Sequence, residues 1–205
     1  MDETVKKAMQ KWPNVPNVFG WLRLDRRGNW LLQVAPQRFE RIGNAGLIEF
    51  IGRNYERDEQ GRWYFQNGPQ RVFVGLDYAP YVYRLGEDRR QWVTQAGEPA
   101  GRPLELLVDE EDCIVLVTEL GPGLVADRDL PALVDGLADE HGAEIDMQAL
   151  VARLRQAGDR AQTGLRLFGV PLSLAPMQRA ALAPRFGFVA EPGQAIASET
   201  STPIQ

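Results

Sequence analysis

The chain has 205 residues, of which 44% are hydrophobic and 25% are charged, and its formal net charge at neutral pH is −5. This acidic balance disfavours a broad phosphate-binding surface, so nucleic acid is not expected as a partner. A single cysteine excludes an internal disulfide. The start of the chain lacks the apolar run of a signal peptide, and no apolar stretch approaches bilayer thickness, so we expect a cytoplasmic protein without membrane contact.

Two short helices are predicted in the first part of the chain. Residues 2–12 carry acidic residues early and lysines later, and Pro13 ends this helix. Asn44 can cap a second helix over residues 45–55, whose apolar side chains fall on one face. Residues 18–24 are predicted to form a strand between the two helices. We expect the second helix to cover one side of a β-sheet.

A twelve-residue pattern occurs twice in the β-rich part of the sequence. Residues 25–36 and 58–69 share Asp, Gly, Trp, Gln and Pro in the same order, at a constant offset of 33 residues. Looser copies begin at Asp88 and Asp112. The second copy predicts a polar turn that closes on Gly61, which can take positive φ, and leads into an aromatic strand. Either one supersecondary unit was duplicated, or unrelated hairpins share the same turn and strand preferences.

The second copy predicts an antiparallel strand pair. Alternation over residues 62–66 places Trp63 and Phe65 on one face, with Tyr64 and Gln66 on the other. The break at residues 67–69 separates this strand from a second alternating strand over residues 70–76.

This pattern of turn, aromatic strand and Gly68-Pro69 break is followed by Asp77-Tyr78-Ala79-Pro80-Tyr81. It resembles uncharacterised proteobacterial proteins that are grouped as domains of unknown function. The resemblance covers about residues 19–125. It implies a duplicated β-rich scaffold with a binding or signalling role and no established activity.

The whole sequence predicts an α+β protein in which antiparallel hairpin repeats with an inserted helix precede a mainly helical C-terminal segment. Residues 1–125 form the β-rich repeat domain, with further strand pairs expected over residues 81–95 and 104–120. Residues 126–190 form the helical segment, with helices expected over residues 131–140, 146–157 and 175–182. Residues 191–205 have the composition of a mobile tail.

No catalytic motif is complete in this sequence, so an enzyme is not expected and no cofactor is predicted. His141 is the only histidine. Its acidic neighbours could form a weak oxygen-rich cation site, but a solvated acidic helix end is the favoured explanation because neither the spacing nor a second histidine supports a metal, and we predict no metal. Cys113 follows several acids in an apolar strand, and both burial and negative charge raise the pKa of a thiol, so a reactive thiolate is not expected.

The predicted binding site combines aromatic and hydrogen-bonding side chains around the second hairpin. Such a mixture is typical of small-molecule or peptide sites, although an ordinary solvent-facing sheet has it too. Our leading interpretation is a non-catalytic binding or regulatory module, with Arg71 and Asp77 at the rim of one groove. The alternative is a structural protein whose C-terminal helical segment contacts a partner or a second copy. The candidate ligand residues are Tyr64, Gln66, Asn67, Gln70, Arg71, Asp77 and Tyr81.

Overall fold

A computed structural model describes residues 1–87, 91–146, 148, 150–152, 154 and 162–193. Over these residues the protein is mostly β, with one six-stranded and one eight-stranded sheet. The buried apolar side chains of both sheets form one hydrophobic cluster. No described helix is long and apolar enough to span a membrane.

The first sheet has the strand order β3-β2-β1-β6-β5-β4. A helix α1 (Glu3–Lys11) precedes it, and α2 (Ala45–Arg53) connects its two halves. Its strands are β1 (Val18–Leu24), β2 (Trp30–Ala35), β3 (Arg38–Arg41), β4 (Tyr55–Arg57), β5 (Trp63–Asn67) and β6 (Gln70–Leu76).

The second sheet has the order β12-β13-β14-β9-β10-β11-β7-β8. A 3-10 helix (Asp127–Asp129) and α3 (Leu130–Asp135) lie between β11 and β12, and α4 (Arg179–Phe186) follows β14. Its strands are β7 (Tyr81–Leu85), β8 (Trp92–Val93), β9 (Pro103–Val108), β10 (Ile114–Thr118), β11 (Gly121–Val125), β12 (Leu137–Asp139), β13 (Gln162–Leu167) and β14 (Val170–Pro176).

The two sheets repeat one topology. In the first sheet, the antiparallel meanders β1-β2-β3 and β4-β5-β6 are joined because the last strand, β6, pairs in parallel with the first, β1. In the second sheet, the meanders β9-β10-β11 and β12-β13-β14 are joined in the same way by parallel pairing of β14 with β9. The hairpin β7-β8 extends the second sheet beyond β11.

The first turn of each meander is built on an aspartate. In each case Oδ1 accepts hydrogen bonds of 2.7 to 3.0 Å from the N–H groups two and four residues later. The residue three positions later has positive φ and is glycine in three of the four turns, because glycine takes this conformation without a Cβ penalty. The four aspartates are Asp25, Asp58, Asp109 and Asp139.

This turn explains most of the repeat seen in the sequence. Trp30 pairs with Leu24, and Trp63 pairs with Arg57, so the two hairpins share register as well as turn type. The turns at Asp109 and Asp139 form without the tryptophan, which shows that the turn does not depend on the whole pattern. Descent of the hairpins from one duplicated unit stays a prediction. Asp88, where the third copy begins, lies outside the described residues.

The predicted α+β class with a mainly helical C-terminal segment is wrong. The helix expected over residues 131–140 ends at Asp135 and is followed by β12. Residues 165–167 and 170–174 form strands, and within each the buried leucines are two residues apart: Leu165 and Leu167 in β13, Leu172 and Leu174 in β14. Of the helix expected over residues 175–182, the first two residues end β14 and only the last four lie in α4. Parts of the helix expected over residues 146–157, and residues 194–205 of the expected tail, lie outside the described residues.

Candidate functional site

The predicted ligand residues do not form one site. The structure places them in four parts of the fold. The outer face of the first sheet carries Tyr64, Gln66 and Arg71. A groove on its inner face is lined by Asn67 and Gln70. Asp77 lines a cleft beside α4, and Tyr81 is buried among aromatic rings between the sheets.

The outer face was expected to be open, but its central side chains are buried. Tyr64 is 4% exposed and Gln66 is 1% exposed. Nε2 of Gln66 donates to the carbonyl oxygen of Gly68 at 2.9 Å, and the Arg71 guanidinium lies 4.6 Å from the centre of the Tyr64 ring. Gln66 and Arg71, both predicted ligand residues, therefore already contact other groups of the protein.

Helix α1 covers this outer face. The backbone N–H of Asp2 donates to Oδ1 of Asn54 at 2.8 Å, and the terminal amine lies 3.8 Å from Oε1 of Glu56. Val5 is 2% exposed. Near the other end of the helix, Ala8 lies 4.0 Å from the position that a Cβ at Gly68 would take. Contact of a ligand with Tyr64 or Gln66 would require α1 to move.

Arg71 and Asp77 do not share a groove. They lie at opposite ends of β6, about 20 Å apart along an extended strand. Asp77 accepts a 2.7 Å hydrogen bond from Nε of Arg23, whereas Arg71 packs on Tyr64. The expected groove with both residues on its rim is therefore absent from the described part of the chain.

An apolar groove lies between α2 and the inner face of the first sheet. We call it the Trp21 groove; its volume is about 370 Å³. Three large apolar side chains on its wall remain partly open to solvent: Trp21 is 59% exposed, Leu32 is 41% exposed and Leu47 is 38% exposed. It is lined by Val18, Trp21, Leu22, Leu32, Ile42, Leu47, Ile51, Phe65, Asn67, Gln70 and Val72.

Local sequence explains how the groove is shaped. Gly20 has a φ of +76°, and the register of β1 against β6 shifts between Val18 and Leu22. Such a bulge redirects the neighbouring side chain, here Trp21. On the opposite wall, Oδ1 of Asn44 accepts a 2.9 Å hydrogen bond from the N–H of Leu47 and caps α2. Sequence reasoning missed Trp21, although the strand glycine beside it was a usable signal.

A second, larger cavity lies beside α4, where the first sheet meets the second. We call it the Tyr78 cleft; its volume is about 770 Å³. The hydroxyl of Tyr78 donates a 2.6 Å hydrogen bond to Oδ2 of Asp109. Burial, followed by this contact with Asp109, raises the pKa of Tyr78. The charged residues on the cleft wall are Arg23, Arg26, Arg179, Asp77, Glu110, Glu111 and Glu191.

One group of potential metal ligands borders this cleft. Ligand atoms of Asp109, Glu111 and Cys113 lie within 4.8 Å of one another. All three already contact protein donors, since Asp109 accepts from Tyr78, while Arg26 lies 3.2 Å from Glu111 and 2.7 Å from Sγ of Cys113. Burial and the charge of Asp109 raise the pKa of Cys113, as the sequence predicts. The prediction that the protein holds no metal is not tested by this arrangement.

His141 lies apart from both cavities. Its side chain is 82% exposed, and its backbone N–H donates to Oδ1 of Asp139 within the fourth aspartate turn. Of the surrounding acids, Asp139 holds this turn, and Oε1 of Glu140 lies 3.5 Å from Nε2 of His141. Within the described part of the chain, His141 does not belong to a cluster of three or more potential metal ligands.

Comparison with known proteins places the chain in a family without assigned activity. No curated protein matches it. The crystal structure of a DUF1285 family protein from Silicibacter pomeroyi DSS-3 is similar, with a TM-score of 0.50 and 17% identity over 85% of this chain and 96% of that one. At this identity the likeness shows the fold alone. The family model DUF2944, described as Protein of unknown function (DUF2946), matches residues 1–193, so the chain belongs to this family of proteins of unknown function.

Proposed function

We propose that this protein is a non-catalytic binding module that takes a small, neutral, mainly apolar molecule in the Trp21 groove. The observation that carries the proposal is the shared exposure of Trp21, Leu32 and Leu47 on the wall of one concave surface. Exposed apolar residues are ordinary when scattered, but a cluster around a cavity is typical of a binding site.

The size of the groove suits a small ligand. A volume of about 370 Å³ lies near the lower end of the range of roughly 300 to 1,000 Å³ that is usual for such sites. Burial of apolar surface contributes about 25 cal/mol per Å², so covering the indole of Trp21 and its neighbours supplies a favourable free energy of binding. A compact apolar ligand therefore suits the groove better than an extended polar chain does.

The polar end of the groove favours a ligand with a hydrogen-bonding group. Among the described residues the side-chain amide of Asn67 has no hydrogen-bond partner, and Gln70 uses only its Nε2, which donates to the carbonyl oxygen of Pro16 at 3.2 Å. An amide can donate and accept, so these two residues suit an alcohol, amide or carbonyl group. Both residues belong to the ligand set predicted from the sequence.

The absence of titratable side chains from the described lining of the groove supports a non-catalytic role. All eleven lining residues are apolar or carry a neutral indole or amide. General acid–base and nucleophilic catalysis require groups that such a lining does not supply. The same lining favours a neutral ligand, because a buried charge without a partner is costly. A cytoplasmic location belongs to this proposal as well.

The test is a fluorescence titration with N-phenyl-1-naphthylamine, a neutral apolar probe, on the full-length protein. We expect saturable binding that Trp21→Ala weakens tenfold or more, since a buried aromatic contact contributes more than about 1.4 kcal/mol. Trp12→Ala is the matched control, because Trp12 is 50% exposed but lies outside the groove. We also expect 1-octanol to displace the probe more effectively than octanoate does.

Two results would contradict the proposal. One is a titration with no saturable component. The other is an equal loss of affinity in Trp21→Ala and Trp12→Ala, which would indicate nonspecific binding to exposed tryptophan.

The alternative, a structural protein that contacts a partner through its C-terminal segment, has less support from this fold. It relied on a mainly helical C-terminal segment, whereas the described residues there also form three strands of the second sheet, β12, β13 and β14. A homodimer or a protein partner stays a prediction that these observations do not test.

A further inference from the structure

Two arginines from distant parts of the chain meet one carboxylate in the Tyr78 cleft. Nη1 of Arg26 lies 3.2 Å from Oε2 of Glu111, and Nη1 of Arg179 lies 3.8 Å from Oε1. The two carboxylate oxygens thus face different guanidinium groups. Arg26 belongs to the turn after β1 and Arg179 begins α4, so the fold brings this pair together.

Both guanidinium groups have contacts that hold them without Glu111. They lie over the ring of Tyr78, at 5.2 Å from its centre for Arg26 and 5.0 Å for Arg179. Arg26 also contacts Sγ of Cys113, and Nη2 of Arg179 donates a 2.8 Å hydrogen bond to the carbonyl oxygen of Asp77. The pair is therefore pre-organised for an anion, which lowers the cost of binding one.

Glu111 is the replaceable member of this arrangement. Its side chain is 51% exposed. The turn that carries it is held by Asp109, whose Oδ1 accepts from the N–H groups of Glu111 and Cys113 at 2.9 and 2.7 Å. Exposed ion pairs contribute only about 0 to 1 kcal/mol, so the Glu111 side chain can swing into solvent at small cost.

We propose that the Tyr78 cleft binds a small organic carboxylate between Arg26 and Arg179, at the position that the carboxylate of Glu111 occupies in this structure. Glu111 then acts as an internal competitor for the site. Guanidinium groups match carboxylates in shape and charge. Beside them the cleft wall also contains apolar side chains, among them Leu182, Ala183 and Phe188, against which the body of the ligand packs. This site is separate from the Trp21 groove, and the proposal does not depend on that groove.

Internal competition sets the size of the expected effect. The apparent affinity of a ligand falls by the fraction of molecules in which the site is free. If Glu111 occupies the site about five-sixths of the time, which the upper end of that range for exposed ion pairs allows, its removal raises the apparent affinity about sixfold. The Glu111→Gln variant removes the charge and keeps the size of the side chain.

The experiment titrates benzoate into the full-length protein and measures affinity by calorimetry and chemical shifts. We expect Glu111→Gln to bind benzoate about sixfold more tightly than the wild type does. Glu119→Gln is the matched control: Glu119 is a 57% exposed partner of Arg102 outside the cleft, and its replacement removes the same charge. Its benzoate affinity should equal that of the wild type.

A second variant locates the ligand. Arg179→Gln in the Glu111→Gln background should lose benzoate binding, and its melting temperature shows whether the fold is kept. Equal benzoate affinity in wild type and Glu111→Gln, or no binding by either, would overturn the proposal. So would inorganic phosphate binding more tightly than benzoate to Glu111→Gln, or undiminished benzoate binding after Arg179→Gln.

Discussion

Tyr78 and Asp109 are joined by a 2.6 Å hydrogen bond from the tyrosine hydroxyl to Oδ2 of the carboxylate. Both residues are buried, at 6% and 5% exposure. Tyr78 follows the last strand of the first sheet, and Asp109 begins the turn between β9 and β10 of the second. This contact therefore connects the two sheets at the wall of the Tyr78 cleft.

Removal of the Tyr78 hydroxyl should destabilise the protein. Tyr78→Phe leaves Oδ2 of a buried aspartate without its donor, which typically costs about 1 to 3 kcal/mol. Tyr64→Phe is the control, because its hydroxyl donates at 3.2 Å to Glu56, whose side chain is 40% exposed and can be solvated by water. Urea denaturation should give a larger loss for Tyr78→Phe. An equal or smaller loss would show that the contact between the sheets contributes little.

The five buried or partly buried tyrosines determine how the stability of the fold should change at high pH. Burial is the first cause that raises the pKa of each of the five tyrosines, Tyr55, Tyr64, Tyr78, Tyr81 and Tyr83. The folded state thus keeps these groups protonated where the unfolded chain would release protons, at about pH 10. Stability from this source is fully present below about pH 10 and is lost as the pH rises further.

Absorbance at 295 nm, which follows tyrosinate, should therefore show no ordinary titration near pH 10 while the protein stays folded. We expect the tyrosines to ionise together with the loss of structure seen by circular dichroism. Reversible ionisation of one or more tyrosines at about pH 10 with an unchanged spectrum would contradict the prediction.

Substitutions of the turn aspartate should lower the free energy of unfolding by different amounts. Oδ1 of Asp25 accepts from the N–H groups of Arg27 and Asn29 at 2.8 and 2.7 Å. Asp25→Ala removes the acceptor and should cost about 1 to 2 kcal/mol, comparable to the loss of a helix cap. Asp25→Asn retains a side-chain oxygen and should cost less. The two free energies of unfolding, compared with wild type, check this order, and equal losses would show that the carboxylate charge matters more than the acceptor.

Local signals in the sequence predict local structure well in this chain. The Asn44 cap and the strands on both sides of Gly68 appear as expected, whereas the predicted helix over residues 45–55 ends at Arg53 and Tyr55 lies in β4. The shared register of Trp30 and Trp63 is also present, because an Asp-x-x-Gly turn is determined by neighbouring residues alone. The C-terminal strands were missed because their short leucine pattern is ambiguous, and tertiary pairing of β14 with β9 determines the outcome.

The candidate sites depend on contacts that no local pattern contains. Alternation correctly separated Tyr64 from Trp63, but it could not show that α1, more than fifty residues earlier, covers Tyr64. The Tyr78 cleft takes Arg26, Asp109 and Arg179 from three distant segments. Only Asp77 of that cleft was in the predicted set, and it was expected to lie beside Arg71.

The last prediction concerns Gly123, which allows β11 to approach a buried aromatic ring. A Cβ at this position would lie 2.5 Å from two ring carbons of Tyr83. That ring cannot easily move: it is fully buried, and its hydroxyl lies 3.1 Å from Oγ1 of Thr118 and donates to the carbonyl oxygen of Gly121 at 3.0 Å. Gly123→Ala should therefore cost about 1 to 3 kcal/mol, as overpacking of a core does.

Gly43→Ala is the control for this substitution, since a Cβ there meets no atom within 4 Å and the residue has no left-handed φ. Its free energy of unfolding should stay within about 0.5 kcal/mol of the wild-type value. A double-mutant cycle then identifies the cause of the loss at Gly123. If the Tyr83 ring is the obstacle, Gly123→Ala should cost much less in a Tyr83→Leu background than in the wild type, because the two sites interact directly. Additive losses would show that the ring is not the obstacle and that backbone effects in β11 dominate.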